Sequence, residues 1–178
     1  MESTVKLFLR FYMKRKQERS EIGEWIVGFT DGEGCFSVSI FRNETTKHGW
    51  QVFPEFVVTQ GEKSLPVLRS FQTFFGCGKI FVNKRYDNHR EHIYRYCVRS
   101  IHELHTVIIP FFRVHQLRTA KREDFIVFSE IVEMIILKEH ASEKGLKTIA
   151  HKIERMNRKK ASLFLKSRET KRHAPASN

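Results

Sequence analysis

Apolar residues recur at helical spacing over residues 4–18, and again at Ile22, Trp25, Ile26 and Phe29, where Ser20 is placed to cap a second helix. Asp31-Gly-Glu-Gly34 interrupts that pattern. Strict alternation follows over Cys35–Arg42, with Phe36, Val38 and Ile40 on one face and Ser37 and Ser39 on the other. A polar loop, Asn43–Gly49, leads to a second predicted strand, Trp50–Gln60, in which Pro54 argues for an edge position or a bulge. Helical spacing returns over Glu62–Phe75, with Ser64 as cap and Pro66 in the first turn, until Gly76-Cys-Gly78 stops it. Lys79–Arg85 and Ile93–Arg99 alternate as strands. Ser100 caps a short helix ending at Pro110, and Phe111–Lys121 reads as a connection. Glu123–Lys138 and Ser142–Met156 read as the last two helices. Hairpins joined by helices predict a mixed α/β domain with an antiparallel sheet covered on one face.

Composition narrows the class. A chain of 178 residues can bury a core as a single domain, and 16 Phe predict an aromatic one. Cys35, Cys77 and Cys97 form no CxxC pair and no disulfide framework, which favours a reducing compartment. No apolar run approaches the ~20 residues of a membrane span, and no secretory signal is expected. A transit peptide stays open, and nothing separates a bacterial cytoplasm from a chloroplast or mitochondrion. The net charge of +12 favours a polyanionic partner. It is concentrated at the ends: residues 151–178 carry nine Lys/Arg against two Glu, and residues 1–20 carry six against two.

The polar face of the predicted sheet carries Ser37, Ser39, Asn43, Gln51, Lys79, Asn83, Arg85 and Arg95. Hydroxyls, amides and guanidinium groups suit the reading of base edges, although an ordinary solvent face also wants polar residues. Phe41, Phe53 and Val57, interleaved among them, count against simple solvation. Asp31 and Glu33 pose a different question. Carboxylates at a helix C-terminal end add negative charge where the dipole is already negative. Two readings stand: an acid-glycine turn, or a site at which Glu33, between Gly32 and Gly34, approaches a hard divalent cation. Gly23 and Gly28 each cost about 1 kcal/mol in a helix interior, and Gly28, followed by Phe29 on a largely apolar helix, points to close helix-helix approach.

Ile26-Val-Gly-Phe-Thr-Asp-Gly-Glu-Gly34 resembles the LAGLIDADG motif in its FxDGEG form, with Gly28, Asp31 and Gly34 at its fixed positions and Glu33 as the second acid. The resemblance continues in order through Phe36-Ser-Val, Phe56-Val-Val-Thr-Gln60, Gly76-Cys-Gly-Lys-Ile80, Tyr94–Ser100, Pro110-Phe-Phe and Leu117–Phe125, and it covers roughly residues 20–156. It implies a homing endonuclease of α+β class: an αββαββα core with a saddle-shaped four-stranded antiparallel sheet lying in the DNA major groove, plus an N-terminal helix and C-terminal helices. On this reading residues 1–19 are a basic helical extension, 20–156 the endonuclease domain and 157–178 a basic tail.

The chain has one motif, and single-motif members of the family act as homodimers on nearly palindromic sites. The implied interface is the helix bearing Trp25, Gly28 and Phe29, which brings two copies of Glu33 together. The resemblance further implies metal-dependent double-strand breaks in DNA with 3′ overhangs, with Mg²⁺ as cofactor, Mn²⁺ as substitute and Ca²⁺ binding without efficient cleavage. Glu33 and the Gly32 carbonyl are the implied metal ligands. Gln60 is the implied residue that orients water, and Lys121 the active-site lysine, with Arg118 and His115 as rivals for that place. Arg113, Arg118 and Arg122 are candidate phosphate clamps, and Asp31 is motif structure rather than ligand. An RNA-binding intron maturase and a DNA-binding homologue that does not cut are the alternatives.

Overall fold

The computed structural model describes residues 4–84 and 92–156. Arg85 and the tail 157–178 lie outside the described residues. The chain forms α1 (Thr4–Glu33), β1 (Gly34–Arg42), β2 (Trp50–Gly61), α2 (Leu65–Phe75), β3 (Lys79–Asn83), β4 (Ile93–Val98), α3 (Ile101–Glu103), α4 (Ile109–Val114), α5 (Lys121–Ile136) and α6 (Glu143–Met156). The four strands make one antiparallel sheet in the order β1-β2-β4-β3. The α+β class and the αββαββα order follow the sequence expectation.

Several details differ from it, and one is that Ser64 precedes α2 without a side-chain capping hydrogen bond. The two N-terminal helices are one, 30 residues long, so Ser20 caps nothing. No proline or glycine precedes Ser20 to break the ladder, and the Gln17–Glu21 hydrogen bond spans the expected joint at i, i+4, with the Lys14–Glu18 pair just before it. Asp31, Gly32 and Glu33 complete that helix instead of ending it. Pro54 lies in β2, which is an interior strand of the sheet. It is nonetheless locally at an edge, because Pro54 faces Val38 of β1 while β4 begins to pair only at Phe56.

Pro110 does not end a helix. A π-turn, Leu104–Ile108, precedes α4, and Pro110 falls in the first turn of that helix, where a missing N–H is tolerated. Finally, α5 starts at Lys121, two residues earlier than expected, and the true connection is short. Ser100 and Ser142 do cap as expected: their hydroxyl oxygens accept from the N–H groups of Glu103 and Gly145.

One face of the sheet builds the core. Phe36, Val38 and Ile40 of β1, Phe56 and Val58 of β2, and Tyr96 and Val98 of β4 are buried against Leu68 and Phe71 of α2, Phe112 of α4 and Phe128 of α5. Phe36 alone has Phe56, Phe112, Phe125 and Phe128 within ring contact, at centroid distances of 5.0–5.4 Å. Edge-to-face and tilted pairs of this kind each add about 0.5–1.5 kcal/mol beyond area burial. Much of the Phe content is therefore core, as composition implied, while Phe8, Phe11, Phe41 and Phe81 stay exposed.

The turn from α1 into β1 has no loop: Glu33 ends the helix and Gly34 begins the strand. A Cβ at position 34 would lie 2.5 Å from Thr30 Cγ2 and 2.9 Å from the Thr30 carbonyl oxygen. Backbone cannot yield there without unwinding the last turn of α1. Gly34→Ala is expected to destabilise the fold by about 1–3 kcal/mol in urea denaturation, as overpacking of a close contact does. An unchanged midpoint would show that the join is loose.

Candidate active site and DNA interface

The acids at the end of α1 have separate partners. Asp31 turns toward the connection before α5. Its carboxylate accepts the backbone N–H groups of Arg118 at 2.8 Å and Thr119 at 3.2 Å, and the Thr119 hydroxyl at 2.7 Å. Burial alone would raise its pKa, but these hydrogen bonds and the nearby Lys121 charge outweigh it and hold the carboxyl below its ordinary value. Asp31 is thus a structural anion at the N-terminal end of α5, the end that favours negative charge. Glu33 is different: it is exposed and has no hydrogen bond or ion pair among the described residues.

The last turn of α1 contains no basic residue. The compensating charge comes from α5, 88 positions beyond Glu33 in the sequence. The Lys121 ammonium donates to the carbonyl oxygens of Asp31 at 2.8 Å and of Gly32 at 2.7 Å. It covers the negative end of the helix dipole, while Asp31 covers the positive end of α5. The two rival basic residues lie farther back along α1. His115 Nδ1 is 3.6 Å and Arg118 Nη2 3.9 Å from the Glu24 carboxylate. Of the three candidates, Lys121 is the one brought to the Gly32–Glu33 end.

Gln60 reaches the same end through the sheet register. Gly34 pairs with Val58, so β2 runs on through Gly61, three residues past the start of β1, and carries Gln60 alongside the α1–β1 turn. Across the sheet, Gln60 pairs with Tyr94.

The face opposite the core carries the predicted polar row. Ser39, Lys79 and Asn83 are exposed, and Ser37, Gln51 and Arg95 are partly so. Asn43 and Gln51 bond to each other at 2.6 Å. Asn43 also accepts from the Thr45 N–H and hydroxyl, which ties it to the β1–β2 turn. Arg113 and Arg118 are exposed beyond the sheet, on α4 and on the connection before α5. Phe41 and Phe81 stand exposed on the face at 40% and 41%.

Sequence reasoning missed two residues here, Glu55 and Arg99. Glu55 bridges Arg95 at 3.0 Å and Arg99 at 2.9 Å. The alternation of β2 placed Glu55 on this face, but only the strand order shows that it meets two arginines.

On the proposed pairing surface, Trp25 and Phe29 touch each other and Phe71 of α2, with centroids 5.4–5.7 Å apart. Trp25 remains 41% exposed. The two helix glycines have different surroundings. A Cβ at Gly23 would meet His115, Phe111 and Phe74 of the same chain at 3.6–3.8 Å, whereas one at Gly28 would meet nothing within 4 Å.

Comparisons with known proteins agree on one family. The model for the LAGLIDADG endonucleases matches residues 26–132. A probable intron-encoded endonuclease of Neurospora crassa is 32% identical over 127 residues, which is 71% of this chain and 25% of that protein. The homing endonuclease I-ApeII of Aeropyrum pernix is 32% identical over 109 residues, 61% of this chain and 60% of that one. Among solved structures, the homing endonuclease I-TnaI superposes with a TM-score of 0.72 at 36% identity, covering 83% of this chain and 96% of that one. I-SmaMI bound to cleaved DNA gives 0.73 at 33% identity, covering 84% of this chain and 48% of that one. The chain spans about a quarter of the length of the first curated relatives it matches.

Two outcomes test the reciprocal cap. Asp31→Ala removes hydrogen bonds to a charged acceptor, and a stability loss of about 1.5–3 kcal/mol is expected at pH 7. The folded pKa lies below the ordinary 3.8. The Asp31 contribution is therefore fully present above the unfolded value and is lost as pH falls through the folded one. Wild type and Asp31→Ala should converge in denaturation midpoint in strongly acidic buffer; a gap independent of pH would mean that the carboxylate charge is not what holds α5.

Proposed function

From the premise that the chain belongs to the LAGLIDADG endonuclease family, we propose that it is a site-specific DNA endonuclease. The observation that carries this reading is the end of α1: an unpartnered Glu33, the Gly32 carbonyl and the Lys121 ammonium meet there, beside the polar face of the sheet. These oxygens suit a hard divalent cation. Mg²⁺ takes one or two carboxylates together with waters and phosphate oxygens, and an exposed carboxylate without a partner is free to serve it. Glu33 and the Gly32 carbonyl would hold the ion, which when bound would lower the pKa of a water and neutralise developing phosphate charge.

The protein's own groups do the rest. Gln60 orients the attacking water. That water adds to phosphorus as the bond to the 3′ oxygen breaks, leaving a 5′-phosphate and a 3′-hydroxyl. The Lys121 ammonium, free to leave a carbonyl oxygen for a phosphate oxygen, stabilises the extra negative charge in the transition state. Lys79, Arg113 and Arg118 engage phosphates and set affinity, and the side chains of the sheet face read bases.

We further propose that two copies form the working enzyme. Among the described residues no three His, Cys, Asp or Glu side chains converge on a metal position. A second carboxylate would come from a twin of Glu33, brought close by C2 packing at the open side of Gly28. Coverage of 96% of I-TnaI supports a unit of this size. Half-length matches such as I-SmaMI accord with the same unit occurring twice in longer chains. A symmetric pair cuts both strands of a nearly palindromic duplex, with 3′ overhangs.

Cleavage assays with Mg²⁺ and with EDTA on the uninterrupted allele of the host gene test the chemistry. Glu33→Gln should abolish cutting, by at least about a hundredfold as for loss of a principal charge-stabilising group, with binding retained. Tight binding without cutting under any divalent metal would sink the endonuclease reading. Sedimentation equilibrium tests the pairing: Gly28→Leu should shift the chain to monomer, and an unaltered dimer would place the interface elsewhere.

A further inference from the structure

A carboxylate stands near the centre of the face offered to DNA. Glu55 lies on β2, opposite Ser37 of β1. On its other side, the Phe56–Val98 register carried one position outward sets it beside Arg99. Both β2 and β4 are interior strands. The Glu55 side chain is only 15% exposed. An isolated carboxylate there would repel a polyanion.

Glu55 is not isolated. Its Oε1 accepts from Arg95 Nη2 at 3.0 Å, and its Oε2 accepts from Arg99 Nε at 2.9 Å. Arg99 is also held by rings: its guanidinium carbon lies 4.8 Å from the Phe81 centroid and 5.6 Å from that of Phe53. A carboxylate on Nε and two aromatic faces fix both the position and the plane of one guanidinium before any ligand arrives.

Fixing the plane matters for one kind of contact. A phosphate accepts charge from many directions, so a flexible cation at the rim serves it well. A guanine edge presents O6 and N7 in one plane, and bidentate recognition needs the guanidinium fork in that plane. With Nε engaged by Glu55, the two terminal Nη groups are the fork that remains. We propose that Arg99 is a specificity-determining residue that reads a guanine in the major groove. Glu55, Phe53 and Phe81 are its positioning residues. The aromatic pair explains why apolar rings stand on a polar face, and the arginine pair explains the acid among them. This inference rests on the DNA-endonuclease reading above.

The test is selection of bound duplexes from a randomised pool by the full chain in Ca²⁺, followed by comparison of base preferences. Wild type should select a guanine that Arg99→Lys no longer demands. Discrimination at that position, and at its symmetry mate, should fall by about tenfold or more while the rest of the profile stays. Glu55→Gln should weaken the same position several-fold without lowering overall affinity, since it removes a negative charge from the interface. Circular dichroism melting of each variant checks that the fold is kept. An unchanged Arg99→Lys profile would overturn the inference. So would a uniform loss of affinity with a shallower salt dependence, which marks a phosphate contact. A wild-type chain that selects no sequence at all would overturn the endonuclease reading together with it, before any variant is compared.

Discussion

The rest of the structure depends on a reciprocal cap between two helices distant in sequence. Helix α1 ends in carbonyl groups and acids with no local cation, and α5 begins with N–H groups and no side-chain cap of its own on Ala120. Each end supplies what the other lacks. The Asp31 carboxylate accepts N–H groups at the entrance of α5, and the Lys121 ammonium donates to the carbonyls at the exit of α1. Opposite dipole ends are thereby joined through full charges, which is the arrangement electrostatics favours. The contact also fixes where Gly34 starts β1, and through the Gly34–Val58 pairing it fixes the register of the sheet.

That cap separates two carboxylates that composition treats alike. Asp31 is committed to α5, with its pKa held low by the hydrogen bonds it accepts. Glu33, two positions on, lies on another side of the helix, as a step of two residues requires. One acid builds the end of the helix so that the other can remain without a partner there. Substituting Asp31 would therefore disturb the site indirectly, through the placement of Lys121 and Gly32.

Much of this was legible in the chain. Alternation gave the inward faces of β1 and β4, Gly76 marked the end of α2 in a left-handed conformation, and the ordered motif segments gave the topology. What escaped was set by contacts between distant residues. The start of α5 could not be read locally, because its N-terminal acceptor, Asp31, belongs to α1. The joint expected at Ser20 failed because capping propensity is weak against an unbroken ladder reinforced by i, i+4 pairs. The choice among Lys121, Arg118 and His115 turned on Glu24, which draws the latter two back along α1. Glu55 and Arg99 were invisible as a unit, since only the order β1-β2-β4-β3 makes their strands neighbours.

Glu33 and Glu55 show how one residue type stands in two opposite electrostatic settings. Two arginines offset the Glu55 charge, so it can orient cations without repelling phosphate. Glu33 is exposed and unneutralised, so close approach of phosphate is unfavourable until a cation intervenes. The difference lies in the partners and not in the residue type. An acid with two fixed cationic partners holds them in place. An acid with none, at the negative end of a helix dipole, is a demand for positive charge that the protein meets only in part through Lys121. On the function proposed above, a divalent ion would meet the remainder, and the motif that looked like a misplaced pair of acids would be the place it binds.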